Sequence, residues 1–546
     1  MTARCRTLTS ALRDAAHTTE GFVFVAGAAE RRRSYGEIHD ASGRMAASLR
    51  AAGLGRGDLV ALILGDPEQF LTSLFGTSMA GVVPASLYPP AATTDRPHYL
   101  AATANVLRAA GARAVVTSPS LAGAIETLRP SCPDLEFIIT WDVAIGDDGA
   151  PAPAGQDHSP DDIAFVQFTS GSTSEPKGVV VTHRTLSANI EAINGPAGLD
   201  TSSSDSAVSW LPLSHDMGLV GMALGAMYTG RPAVLMTPEA FVKRPAEWLR
   251  AISRHRATVS FAPNFAYALC VRRVKERDLE GLDLSSWRVA GCGGEPIHAG
   301  TLAEFGEKFG RVGFRATSFM PSYGLAEHVL AATFPPRERG VRVARLSSHA
   351  DVVSCGFPLP EHRLRIVGEG GEELGERTIG EIALAGPSVM PGYYGDHELT
   401  KQTIRDGWLL TGDLGFVDGG ELFVCGRTKD VMVVSGRKHH PQDLEWAVDE
   451  LPGIRRGRVV AFGVANGNLA DRIVMIVEPS GTVAADVLEQ AVRQRVRDAC
   501  GLYVDEILIV SSGTIGRTTS GKVQRAATKQ RYEVGEIGAC RVKLPD

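Results

Sequence analysis

Apolar positions along the chain alternate between short unbroken runs and stripes at helical spacing. Leu59-Val-Ala-Leu-Ile-Leu64 reads as a buried strand. Ahead of it, Ile38, Ala41, Met45, Leu49 and Ala52 fall on one helical face, with Arg44 and Arg50 off it. Gly53 and Gly55 then stop that helix. Similar alternations recur around Ala114–Thr117, Ala233–Met236 and Trp287–Ala290. Strands alternating with helices predict a largely parallel sheet covered by helices. After about residue 350 the texture changes. Shorter β-type segments crowd together with turn residues at Leu364–Val367, Gly380–Leu384, Glu421–Val424 and Val431–Val434. The C-terminal stretch carries its own α+β pattern. It predicts helix Leu444–Leu451, strands Val459–Val464 and Ile473–Glu478, helix Ala485–Ala499 and strand Glu506–Val510.

The predicted fold class is therefore α/β. A large multi-layer N-terminal domain over residues 1–428 has two helix-covered sheets plus a small β region. A small, mobile α+β domain follows over 429–546, with the boundary in the polar stretch Arg427–Asp430. A length of 546 residues agrees, because it exceeds what one core organises. No period of 20–50 residues repeats, which excludes solenoids and propellers. Hydrophobic residues at 44% and charged residues at 22% exclude wholesale disorder. A net charge of -6 supplies no broad basic face for nucleic acid or anionic lipid. The eight cysteines are scattered without a CxxC pair, which argues against a disulfide scaffold or a zinc site and for a reducing compartment. The N-terminus leads into no apolar signal region, and the run Met217–Met227 is too short to span a bilayer. The expectation is a cytoplasmic protein.

The loudest local signal is Phe168-Thr-Ser-Gly-Ser-Thr-Ser-Glu-Pro-Lys-Gly178. β-type runs Ile163–Phe168 and Val179–Val181 flank it. Small residues let backbone N–H groups and hydroxyls converge on an anion, and Lys177 adds a point charge. A P-loop needs a second glycine and a Ser or Thr after the lysine. Here Pro176 and Gly178 stand at those positions, so a P-loop NTPase is excluded. The competing bland reading is a flexible Ser/Gly surface loop.

Thr169–Gly178 resembles the phosphate loop of the adenylate-forming superfamily. Ser209-Trp-Leu-Pro-Leu-Ser-His-Asp-Met-Gly-Leu219, Ala262-Pro-Asn-Phe-Ala-Tyr267 and Val83-Pro-Ala-Ser-Leu-Tyr-Pro-Pro90 resemble one branch, the fatty acyl-AMP ligases. The resemblance covers nearly the whole chain in the right order. It implies that Thr169, Ser170, Gly171, Ser172, Thr173 and Lys177 cradle pyrophosphate. Ser322-Tyr-Gly-Leu-Ala-Glu327 resembles the adenine and magnesium motif. There Tyr323 can stack on a purine at ~1–3 kcal/mol, Gly324 allows close approach, and Glu327 offers a hard oxygen to Mg2+. Gly291-Cys-Gly-Gly-Glu-Pro296 resembles the purine-pocket turn, which adds Gly293, Gly294, Glu295, Pro296 and Ser322 to the nucleotide set. Trp408-Leu-Leu-Thr-Gly-Asp413 resembles the ribose motif, with Asp413 and Arg427 holding the sugar. Lys429 matches the hinge about which the small domain turns.

Thr519-Ser-Gly-Lys522 resembles the catalytic lysine motif. When a carboxylate attacks the α-phosphorus, both reactants are anions. A mobile ammonium delivered on domain closure then stabilises the transition state above the ground state. His215 matches the acid pocket, with Ser214, Met217, Asn264 and Ala268 as further substrate-binding candidates. Each of these residues alone is as well read as a satisfied core or turn residue. Adjacent His439 and His440 face differently and lack a third ligand, so no metal is assigned to them. Arg31-Arg-Arg33 reads as a solvated face.

The resemblance implies the reaction carboxylic acid + MgATP → acyl-AMP + pyrophosphate, with ATP and Mg2+ as cofactors. The acyl group then passes to the phosphopantetheine thiol of an acyl carrier protein, in lipid or polyketide and peptide biosynthesis. Two departures stand out. The interval Phe334–Cys355 is short where the branch carries an insertion that disfavours CoA, and Ala268 stands where the branch has an acidic residue. Alternatives therefore stay open: an acyl-CoA synthetase, an amino-acid-activating enzyme, or a non-catalytic binding module. Chain length of the acid is not legible.

Overall fold

Two helix-covered sheets arise from the runs that are apolar on both faces. The computed structural model describes all residues except 1–4, 28, 91–95, 147–157, 170–175, 346–350, 435–436, 450, 467–468, 482, 518–522 and 538–546. Leu59–Ile63 is buried at every position, as a strand covered on both sides must be. It lies inside a six-stranded sheet ordered Phe137–Thr140, Ala114–Thr117, Leu59–Ile63, Val83–Ser86, Ile163–Thr169, Lys177–Thr182. All neighbours are parallel except the last two strands, which form an antiparallel hairpin. The helix ahead of it runs Tyr35–Ala51, with Ile38, Met45 and Leu49 buried. It opens on a capping box in which Ser34 and Glu37 exchange hydrogen bonds. Gly53, at φ +82°, ends it where a side chain would be strained.

The second sheet has seven strands, ordered Phe319–Pro321, Val289–Cys292, Val259–Ala262, Ala207–Ser209, Ala233–Met236, Gly21–Ala26, Ala29–Ser34. One predicted strand shifts here. It runs Val289–Cys292 rather than Trp287–Ala290, because Trp287 sits in the preceding turn, fully buried, donating its indole N–H to the Val289 carbonyl at 2.7 Å. The triplet Arg31–Arg33 lies on the edge strand, with Arg31 and Arg33 paired to Glu68. The run Met217–Leu224 is a π-helix, continued by Gly225–Tyr228 as α-helix.

A smaller antiparallel sheet follows, built on Arg363–Val367, Gly380–Ala385, Trp408–Asp418 and Glu421–Arg427. The C-terminal part forms a three-stranded sheet, Ile454–Asn466, Leu469–Pro479 and Glu506–Ile509, with helices Pro441–Asp449 and Ala485–Cys500. Its apolar clusters begin at Met432 and share no residue with those of the preceding sheets. Thr428–Asp430, a single 3-10 turn, lies between the two sets. Among the described residues, no helix is long and apolar enough to cross a membrane.

Candidate active site

A cleft of about 2260 Å³ opens where the two sets of cores meet. Its walls include Lys177, Tyr323, Glu327, Asp413 and Arg427 from the large part and Arg455, Arg458 and Arg517 from the small one.

The Ile163–Thr169/Lys177–Thr182 hairpin registers Thr169 opposite Lys177 at the end of the sheet. Ser170, Gly171, Ser172 and Thr173 lie outside the described residues. The Lys177 ammonium stands 5.5 Å from the Tyr393 ring centroid, a cation–π distance. The Tyr393 hydroxyl donates to Glu327 Oε1 at 2.9 Å. Burial, and then the Glu327 charge, push the Tyr393 hydroxyl well above the ordinary phenol range, so it stays a donor. One ring thus ties the loop lysine to the carboxylate.

The Gly380–Ala385 and Glu421–Arg427 strands bracket Trp408–Asp418 and register Asp413 opposite Arg427. Asp413 receives Tyr323 O–H at 2.7 Å on one oxygen and Arg427 Nε–H at 3.0 Å on the other. The Asp413 carboxylate holds Arg427 more firmly protonated than usual. Tyr323 is pushed well above the phenol range, by burial first and Asp413 second. The Gly412 N–H is anchored on Glu381 Oε1 at 2.8 Å, so the turn that presents Asp413 is fixed from the neighbouring strand.

The Cys292–Pro296 turn packs against Ser322. A Cβ on Gly293 would meet the Ser322 carbonyl oxygen at 2.8 Å, and Gly294 takes φ +79°. Glu295 Oε1 accepts the Phe265 N–H at 2.6 Å, joining this turn to the helix Asn264–Arg273. Pro296 and Gly324 also line the cleft, and a Cβ at 324 would overlap the Leu330 carbonyl. Asn264 Oδ1 accepts the His298 N–H at 3.1 Å. Ala268 sits one helical turn beyond Asn264 on the same cleft-facing stripe.

His215 Nδ1 lies 2.5 Å from Asp216 Oδ1, and Asp216 also accepts the Met217 N–H at 2.7 Å. The Ser214 carbonyl accepts from Gln167 Nε2 at 3.4 Å. Ser214, His215 and Met217 therefore share one wall, at the mouth of the π-helix. Lys429 lines the cleft within the 3-10 turn. Lys522 lies outside the described residues, while Val523 and Gln524 beside it line the cleft.

Glu327 is suited to Mg2+. It is a hard carboxylate held in the cleft by a phenol donor, beside a loop lysine. Among the described residues there is no cluster of three or more His, Cys, Asp or Glu. A cation here would take one protein carboxylate and phosphate oxygens, the usual way Mg2+ is held. His439 and His440 join no such cluster.

Sequence reasoning missed Tyr393, Glu381 and Arg517. Tyr393 follows the Pro391-Gly392 turn, where a paired tyrosine was the available signal. Arg517 Cζ lies 6.0 Å from the Phe265 ring centroid, and only the tertiary fold brings them together.

Residues 12–394 match the sequence profile of the AMP-binding enzymes. A Caulobacter vibrioides protein provisionally named an acyl-CoA synthetase is 36% identical over 526 residues, covering 92% of this chain and 91% of its own. The medium-chain-fatty-acid–[acyl-carrier-protein] ligase of Moorena producens is 34% identical, covering 94% and 92%. A solved chain from structural and functional studies of the fatty acyl-adenylate ligases of E. coli and L. pneumophila superposes with a TM-score of 0.90. It is 35% identical and covers 97% of this chain and 98% of that one.

Proposed function

We propose that this chain, which belongs to the AMP-binding enzyme family, is a fatty acyl-AMP ligase that loads an acyl carrier protein. A fatty carboxylate attacks the α-phosphorus of ATP, an acyl–phosphate bond forms and pyrophosphate leaves. A phosphopantetheine thiol then attacks the acyl carbonyl, AMP departs and the thiol proton is released.

In this reading Asp413 accepts from the ribose hydroxyls and Arg427 orients it through its Nε–H. Tyr323, Gly293, Gly294, Glu295, Pro296, Ser322 and Gly324 frame the adenine. Thr169–Thr173 and Lys177 take the leaving pyrophosphate, which explains a lysine facing an aromatic ring at a strand end. Glu327 would hold Mg2+, which supplies neutralising charge between phosphates when bound. His215, Ser214, Met217, Asn264 and Ala268 line the acid's path. Residues 1–428 act as the binding body and 429–546 as the lid, with Lys429 the hinge and Lys522 the ammonium that serves adenylation.

The observation that carries the reading is the single cleft holding both linked sets, Lys177–Tyr393–Glu327 and Tyr323–Asp413–Arg427. The test is pyrophosphate release across acids of graded length, followed by mass analysis with holo-carrier protein or CoA as acceptor. Acyl-carrier product is expected. Efficient acyl-CoA formation instead would move the chain to the acyl-CoA synthetases, and exchange with amino acids alone would sink the fatty-acid assignment.

A further inference from the structure

Lys177 opens the last strand of the six-stranded sheet, and Glu327 lies in the 3-10 turn Ala326–His328. The segment between the strand Gly380–Ala385 and the helix His397–Thr403 joins them. Its backbone is fastened on both sides. The Met390 N–H donates to the Glu327 carbonyl at 2.9 Å. The Val180 N–H donates to the Gly392 carbonyl at 3.2 Å, and the Tyr394 N–H donates to the Gly178 carbonyl at 2.7 Å. Between these bonds the Tyr393 N–H donates to Thr400 Oγ1 at 2.9 Å, on the following helix. A Cβ on Gly392 would come within 2.7 Å of Thr400 Cγ2, so only glycine lets the segment pass this close to the helix. The backbone that presents Tyr393 is therefore held by the strand of Lys177, by the turn of Glu327 and by Thr400.

The side chain of Tyr393 then touches both charged groups. Its ring face takes the Lys177 ammonium, 5.5 Å from the centroid, and its hydroxyl donates to Glu327 Oε1 at 2.9 Å. Lys177 and Glu327 carry opposite charge, yet among the described residues they form no ion pair with each other. An ammonium and a carboxylate in direct contact neutralise one another, and each then loses affinity for an ionic ligand. A π face satisfies a cation without cancelling its charge, and a phenol donor satisfies a carboxylate in the same way. Tyrosine supplies both on one side chain. Phenylalanine would supply the face alone, and an aliphatic side chain neither.

Resting on the adenylation reading above, we propose that Tyr393 is a positioning residue that keeps Lys177 and Glu327 as two separate ionic sites, the ammonium free for the diphosphate of the nucleotide and the carboxylate free for a divalent cation. Removing the whole ring lets the two charges pair with each other, so anion and cation both bind more weakly. Removing the hydroxyl alone releases Glu327 and leaves Lys177 on the ring face. The two losses are thus separable by two substitutions at one position, which a merely structural role for Tyr393 would not produce.

The full chain is titrated calorimetrically with α,β-methylene-ATP, which cannot release pyrophosphate, first in metal-free buffer and then with Mg2+. The metal-free Kd reads the lysine, and the tightening on adding Mg2+ reads the carboxylate. Tyr393→Phe should bind the metal-free analogue within about twofold of the parent chain, because the ring face remains. It should lose at least about fivefold of the tightening by Mg2+, because Glu327 has lost its donor. Tyr393→Leu should lose the same tightening and weaken the metal-free Kd by about tenfold as well. Undiminished tightening in Tyr393→Phe, or equal metal-free losses in the two variants, overturns the proposal. Where circular dichroism shows Tyr393→Leu unfolded, the two constants of Tyr393→Phe still decide it. Failure of the parent chain to form acyl-AMP from any acid overturns the adenylation reading instead, since binding of the analogue is measured without turnover.

Discussion

At the scale of single residues the cleft works by fixing groups through their neighbours. Asp413 is held by a phenol on one oxygen and a guanidinium on the other, so its lone pairs are aimed before any ligand arrives. Tyr323→Phe removes one charge-assisted bond, worth about 1.5–3 kcal/mol. We expect at least a tenfold fall in kcat/KM for ATP, read by initial rates of pyrophosphate release, with the fold intact by circular dichroism. Glu327→Gln keeps the Tyr393 bond but removes the charge. The Mg2+ concentration for half-maximal rate should rise about tenfold, and an unchanged requirement would remove Glu327 from the metal assignment. The partners of Asp413 were legible in the sequence only as motifs in order. Their mutual bonds were not, because Tyr323 and Asp413 are 90 residues apart and the local pattern of each is that of a core tyrosine and a turn aspartate.

Buried histidine supplies a prediction of another kind at this scale. His183 accepts the Leu8 N–H on Nδ1 at 3.2 Å, far from the cleft. Burial, and then His158, push its pKa down to about 3. A histidine kept neutral in the fold contributes stability that is present above the unfolded value near 6.5 and is lost as pH falls toward 3. Between pH 6.5 and 5 the loss is roughly 2 kcal/mol. Urea midpoints for the parent chain and His183→Gln should therefore converge on acidification. Parallel curves would contradict the neutral assignment.

At the scale of elements, the buried strands and the amphipathic helices are written plainly in the chain. Leu59–Ile63, Ala114–Thr117 and Ala233–Met236 are apolar runs bounded by turns, and each forms where the pattern puts it. Two features escape such reading. Trp287 has strand-like character yet lies ahead of the strand, since its buried indole N–H must find an acceptor, which the Val289 carbonyl supplies. Met217–Leu224 is apolar on all sides, so no periodicity distinguishes a π-helix from an α-helix or a strand. The glycines inside it have a packing reason. A Cβ on Gly221 would come within 2.9 Å of Leu330 Cδ2, across the cleft wall. Gly221→Val should therefore narrow the acid's path. We expect long acids to lose more activity than short ones in a pyrophosphate-release series, and a uniform loss would place Gly221 off that path.

At the scale of the molecule, the separation of cores decides cooperativity. Clusters built from Met432 onward bury their apolar side chains without help from the large part. Across the interface the described ion pair Arg456–Glu304 is exposed, and such a pair contributes only about 0–1 kcal/mol. Scanning calorimetry should resolve two transitions, and AMP should raise the first by binding the folded body. A single sharp transition would show coupling that these contacts do not provide. The change of texture after residue 350 marks only the start of the small sheet. The separate C-terminal apolar clusters fall where the second α+β pattern of the sequence begins.

One junction beside the 3-10 turn has a mechanical consequence. Arg525 binds Asp430 at 2.6 Å and Glu445 at 2.9 Å. Asp430 directly follows Lys429, and Arg525 comes three positions after Lys522. Arg525 thus ties the C-terminal helix to the residue that follows the hinge proposed above, like a crank fixed to its shaft. On that proposal, a small twist in the backbone at 429 would carry Arg525 and its helix with it as one displacement instead of dissipating in a loose tether.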